Sequence, residues 1–125
     1  MLKLASEADG EKLNEFCRGN VFGTYISCRA KAYGFSSDFS RVWISEDESG
    51  KLLCAVSALD GNAVILANDA CDFEELSIAI NAFGFATVLT DACTAEKCLS
   101  DNFSKKTVLK FTGNNQCYKT FDEPN

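Results

Sequence analysis

Seven cysteines, Cys17, Cys28, Cys54, Cys71, Cys93, Cys98 and Cys117, are spread along this 125-residue chain, and no histidine accompanies them. Zinc needs closely spaced thiolate or imidazole ligands, and dithiol redox chemistry needs two adjacent thiols. No C-x-x-C pair occurs, so neither a metal site nor a redox motif is expected. Cys17, Cys28 and Cys54 fall among apolar neighbours, where a free cysteine behaves as a small hydrophobe, and they are expected as core filler. Cys98 lacks a histidine to activate it as a nucleophile. Among the carboxylates, Glu46 at a strand end is the candidate general base, while its neighbours Asp47 and Glu48 also fit a solvated turn.

Placing such groups falls to the stretch 41–83. Three strands are predicted, at 41–47, 51–59 and 63–67. They are separated by Glu48-Ser49-Gly50 and by Asp60-Gly61, a dipeptide suited to the two positive φ angles of a type I′ turn. Val42 and Ile44 alternate with Trp43 and Ser45, the period-2 pattern of a half-buried strand. The next two strands are more continuously apolar and are expected to be covered on both faces. A helix follows at 72–83, with Asp72 as N-cap, Phe73, Leu76, Ile80 and Phe83 on one face, and Gly84 as its end.

Upstream, a short strand at 2–5 leads to a helix with Ser6 and Asp9 in a capping-box arrangement, Leu13, Phe16 and Cys17 on one face, and Gly19 past its end. A second helix is predicted at 22–33, with Tyr25, Cys28 and Ala32 on one face, Ile26, Ala30 and Tyr33 beside it, and Gly34 as cap. Downstream come a strand at 85–90, expected to run parallel to 63–67 because a helix connects them, a short helix at 94–100, and a strand at 107–112. Residues 1–113 read as one domain and 114–125 as a polar tail. The class is α+β with a mixed sheet, ordered β-α-α-β-β-β-α-β-α-β, an antiparallel meander plus a parallel pair.

Composition narrows the partners. Twelve Lys and Arg against eighteen Asp and Glu give a net charge of −6 with no cationic cluster, which argues against nucleic acid and anionic membrane surfaces. The N-terminus lacks the apolar run of a signal peptide, and no segment reaches membrane-spanning length, so a cytoplasmic location is expected.

The predicted order, together with Phe22-Gly23-Thr24, Ala32-Tyr33-Gly34-Phe35, Leu59-Asp60-Gly61 and Asp72-Phe73-Glu74-Glu75-Leu76, resembles the GNAT acyltransferase fold over nearly the whole chain. The similarity is to the degenerate N-terminal half of two-part acetyltransferase-like proteins of Firmicutes. That family transfers acetyl from acetyl-CoA to an amine. It holds the CoA pyrophosphate on the backbone N–H groups of an Arg/Gln-x-x-Gly-x-Gly/Ala loop between the fourth strand and the third helix. Here Asn68, Asp69, Ala70 and Cys71 occupy that position, without arginine or glycine, and Asp72, Glu74 and Glu75 follow. The family's tyrosine acid is also missing from the next helix, which offers Glu96, Lys97 and Cys98, while Tyr118 lies far downstream.

The resemblance therefore implies a degenerate GNAT-like domain without a cofactor. Such a domain would serve as an interaction or substrate-side module of a catalytic acetyltransferase domain, with Tyr25, Arg29, Tyr33, Phe39 and Trp43 as its candidate surface. Aromatics in such patterns also fill cores, and exposure separates the two readings. The alternative is an active small N-acetyltransferase that grips acetyl-CoA through an atypical loop at Asn68. Self-association through the sheet or the aromatic face is a third.

Overall fold

Asp60 and Gly61 take φ of 52° and 86°, the left-handed pair that a type I′ turn demands. They fold β3 (Leu52–Leu59) directly onto β4 (Asn62–Ala67). This hairpin is the centre of a mixed sheet in a computed structural model that describes residues 2–35 and 37–98, together with the backbone of two further strands. Before the hairpin come β1 (Lys3–Leu4), a 3-10 turn (Glu7–Asp9), α1 (Gly10–Cys17), α2 (Val21–Tyr33) and β2 (Ser40–Glu46). After it come α3 (Phe73–Phe83), β5 (Thr87–Asp91), α4 (Ala92–Cys98), β6 (Thr107–Thr112) and β7 (Gln116–Thr120).

Among the described residues the strands lie side by side in sequence order. β1 to β4 pair antiparallel, β4, β5 and β6 run parallel, and β7 returns antiparallel to β6. The segment read from sequence as a polar tail thus contributes a strand. The side chains of 107–112 and of Tyr118 lie outside the described residues.

The helices cover the sheet in two layers. Phe22, Ile26 and Ala30 of α2, with Leu13 and Cys17 of α1, bury Val42, Ile44, Ala55, Val64 and Leu66. Leu76 and Ile80 of α3, with Ala95 and Cys98 of α4, bury Cys54, Val56, Ala63, Ile65 and Val88 on the opposite face. β3 and β4 are therefore covered on both sides, which is why they read as nearly unbroken apolar runs.

Local chemistry sets the helix ends. The Asn20 side chain accepts from Phe22 N at 2.8 Å and Gly23 N at 3.3 Å and so starts α2. Asp72 accepts from Glu75 N at 3.1 Å and starts α3. Asp91 accepts from Thr94 N at 2.6 Å, so α4 begins at Ala92 and Thr94 lies inside it. The Asp9 carboxylate accepts from Ser6 N at 2.9 Å, but the turn it closes is 3-10, and α1 begins only at Gly10.

One expectation needs correction. Cys28 is exposed rather than core filler. The buried stripe of α2 runs through Phe22, Gly23, Ile26 and Ala30, and a residue two positions from Ile26 on a 3.6-residue helix points to the opposite side. Tyr25 and Ala32 are exposed for the same reason.

Gly23 explains how closely the first two helices approach: a Cβ there would lie 2.2 Å from the Cys17 carbonyl oxygen. Alanine is the better helix former by up to about 1 kcal/mol, but this contact is with backbone and cannot be relieved by a rotamer change. Gly23→Ala is expected to destabilise the protein by about 1–3 kcal/mol, the usual cost of overpacking, in urea titration. An unchanged or higher midpoint would show that the two helices separate freely.

Candidate functional site

A β-bulge shapes the candidate site. β2 and β3 slip register between Ser45 and Glu46, where Ser45 pairs with Cys54 but Glu46 pairs with Leu52, leaving Leu53 as the extra residue. The slip turns Leu52 toward the α1–α2 core while Cys54 faces α3. Asn68, the first residue beyond β4, binds both sides of this irregularity. Its backbone N–H donates to Leu53 O at 2.9 Å and its Nδ2 to Leu52 O at 3.4 Å.

The same residue then turns the chain. Asn68 Oδ1 accepts from Ala70 N at 2.9 Å, and its carbonyl accepts from Cys71 N at 3.1 Å. Asp72 takes over one residue later: its side chain binds Glu75 N, and its carbonyl accepts from Leu76 N at 3.0 Å. Several of the N–H groups that a helix N-terminus could offer an anion are thus held by the protein's own oxygens. The surroundings oppose an anion as well. Asp69 and Asp72 are exposed, and Glu74 and Glu75 occupy the first turn of α3. Two unit charges 4 Å apart interact by about 1 kcal/mol in water and by more near a protein surface.

Beside this connection, β4 and β5 pair only from Asn62 to Val64 and from Thr87 to Leu89, although both strands continue further. Where the ladder ends, Thr90 Oγ1 donates to Ile65 O at 3.0 Å, so a side chain satisfies a carbonyl that the parting strands leave behind.

Glu46 is an ion-pair centre. Lys12 from α1 and Lys3 from β1 both reach its carboxylate, Lys3 at 3.3 Å. The hydrogen bond from Lys12, followed by that from Lys3, holds the Glu46 carboxyl below the usual carboxylate range, and the same bond raises Lys12. A general base working near neutrality needs the opposite shift. Cys98 is buried in α4, its thiol donates to Phe73 O at 3.6 Å, and burial pushes its pKa up to about 12, far from the thiolate a nucleophile requires. Lys97 of the same helix lies over the Phe73 ring, 4.5 Å from its centroid.

The aromatic set separates into two groups. Tyr25 and Tyr33 stand exposed on α2, at 49% and 47%, and Tyr33 meets Phe39, 50% exposed, edge to face at 5.4 Å. Arg29 sits between the layers, where its Nη1 donates to Ser57 O at 3.1 Å and Asn62 O at 2.9 Å, tying α2 to the β3–β4 hairpin. Trp43 points to the other face of the sheet, stacked on Phe83 at 4.4 Å with Phe85 beside it. Phe39, Trp43, Phe83 and Phe85 line an open cleft of about 350 Å3 rimmed by Asp38, Arg41 and Asp60. Phe83 and Phe85 were legible only as the end of a helix face and the start of a strand. Nothing in their spacing pointed to Trp43, forty residues upstream.

Among the described residues no group of His, Cys, Asp and Glu side chains is arranged to hold a metal, and no helix is long and apolar enough to cross a membrane. No family model matches the chain, and searches of curated proteins and of solved structures give no match.

The Glu46 cluster carries a pH signature. A carboxylate with a folded-state pKa below its unfolded value contributes stability above the unfolded value and loses it as pH falls through the folded one. Glu46→Gln should therefore lower stability at pH 7, and the gap to wild type should close as pH falls through the lowered Glu46 value, with a smaller gap in high salt. Urea unfolding of both proteins across that range checks this, and a gap that widens on acidification would contradict it.

Proposed function

We propose that this chain is a GNAT-like α+β domain that does not hold acyl-CoA and acts as an interaction or substrate-side module of an acetyltransferase. The element order supports the family reading: a first strand, two helices, an antiparallel meander, then a helix feeding a parallel strand. The carrying observation is the connection between β4 and α3. In the family this segment receives pyrophosphate on bare N–H groups. In this chain Asn68 and Asp72 engage the N–H groups of Ala70 and Glu75, and four carboxylates crowd the helix start. Glu46, held as a carboxylate by two lysines, and Cys98, buried as a thiol, supply neither base nor nucleophile.

The docking surface under this reading is the exposed aromatic group Tyr25, Tyr33 and Phe39, with a catalytic acetyltransferase domain as partner. Exposed rings of this kind are the usual anchors of protein interfaces.

Thermal unfolding with and without millimolar acetyl-CoA tests the proposal. A ligand at about 100 times its dissociation constant adds about 2.7 kcal/mol and raises the midpoint of a domain this size by several degrees. No shift is expected. A clear rise would overturn the reading in favour of an active N-acetyltransferase that binds acetyl-CoA through the Asn68–Cys71 segment.

A further inference from the structure

The cleft beside Trp43 is assembled where three connections meet. The link ahead of β2 supplies Asp38 and Phe39, the β3–β4 turn supplies Asp60 and Gly61, and the junction of α3 with β5 supplies Phe83 and Phe85. Backbone hydrogen bonds fasten the three together. Asp60 N donates to Phe39 O at 2.8 Å, and Ala86 N donates to Gly61 O at 2.8 Å. The walls are therefore set by the chain itself before any ligand arrives.

These walls offer two kinds of chemistry. Phe85 is buried, whereas Phe83, stacked on Trp43, is 38% exposed and Phe39 is 50% exposed, so ring surface is left open in the cleft. The rim carries charge of both signs. Asp38 and Asp60 are exposed carboxylates, and Arg41 lies two residues from Trp43 on the same face of β2. Arg41 donates from Nε to Ser37 O at 3.4 Å. Among the described residues none of these three side chains takes part in an ion pair.

We propose that this cleft binds a free α-amino acid with an aromatic side chain: its carboxylate meets Arg41, its ammonium meets Asp38 and Asp60, and its ring lies against Phe39 and Phe83. The charges select the class. A guanidinium presents N–H donors in a plane that matches a carboxylate, and two carboxylates attract an ammonium. A simple amine would leave Arg41 without a counter-charge and bring a second cation near it. A simple carboxylate would sit against two aspartates. A zwitterion answers both signs at once, and an aromatic side chain answers the rings. Size agrees, because a cleft of about 350 Å3 is at the small end of the range of ligand sites, roughly 300–1,000 Å3, and suits a single amino acid. The cleft opens at the Asp60 end of β4, and Asn68 lies beyond the other end of that strand, so this inference does not depend on the acetyltransferase reading.

Trp43 is the single tryptophan of the chain, so its emission reports on the cleft alone. The test titrates the full chain with L-phenylalanine, with excitation where only tryptophan absorbs. A saturable change in emission is expected, half-complete at millimolar concentration or below. Phenethylamine, which lacks the carboxylate, and phenylpropionate, which lacks the ammonium, should each bind about tenfold more weakly, in keeping with the loss of one charge-assisted contact. L-Leucine, which keeps both charges without the ring, should also bind more weakly. Arg41→Gln should weaken L-phenylalanine about tenfold without weakening phenethylamine. Asp38→Asn combined with Asp60→Asn should weaken L-phenylalanine without weakening phenylpropionate, and asparagine tolerates the left-handed backbone at position 60 as aspartate does. Absence of a saturable change would overturn the proposal. So would phenethylamine or phenylpropionate binding as tightly as L-phenylalanine, or an L-phenylalanine titration that Arg41→Gln leaves unmoved.

Discussion

Two carbonyls at one β-bulge, those of Leu52 and Leu53, are held by a single asparagine, and much of the geometry follows from that contact. A slip of one residue flips side chains between the faces of a sheet, so the bulge lets β3 place Leu52 in one core and Cys54 in the other. Asn68 satisfies the backbone groups that the irregular ladder leaves over, then uses its remaining oxygens to start the turn into α3. Buried backbone groups without partners are costly. The connection is therefore held from several directions at once, and the placement of α3 over β3 and β4 depends on it.

The two cores differ in how their helices are secured. Against the first face, α1 and α2 approach so closely that Gly23 touches the Cys17 backbone, and Arg29 bridges the gap to the hairpin by binding two carbonyls. Lys3, Lys12 and Glu46 add a polar clasp where β1, α1 and β2 meet. Against the second face, α3 is joined to α4 by Ser77, whose hydroxyl donates to Cys98 O at 2.9 Å, and to β2 by the stacking of Phe83 on Trp43. Because α3 ends beside Trp43 and nothing described lies over the outer strands on that side, Leu4 is left 46% exposed next to it in register.

Electrostatics at the start of α3 run against the use that helix N-termini often serve. A macrodipole and free N–H groups favour an anion, yet Asp72 already fills that role as a cap, and Glu74 and Glu75 add stabilising negative charge to the first turn.

Residue periodicity and turn chemistry are local, so the meander, its Asp60-Gly61 turn, the α3 cap at Asp72 and the parallel return to β5 could be read directly from the sequence. The missing glycines and arginine between Ala67 and Phe73, and the carboxylates after them, were equally plain. Burial was harder to read: a helix lined with small and aromatic residues on several sides does not announce its inner face, and only packing against β2, β3 and β4 selected Ile26 and Ala30 over Tyr25 and Cys28. The strand after the predicted end of the domain went unread because Gln116–Thr120 carries little apolar signal and takes its pairing from β6. Contacts between distant residues were beyond the sequence altogether. Trp43 with Phe83, and Glu46 with its two lysines, become neighbours only through the packing of α3 and α1 against the sheet, and chain spacing holds no record of either.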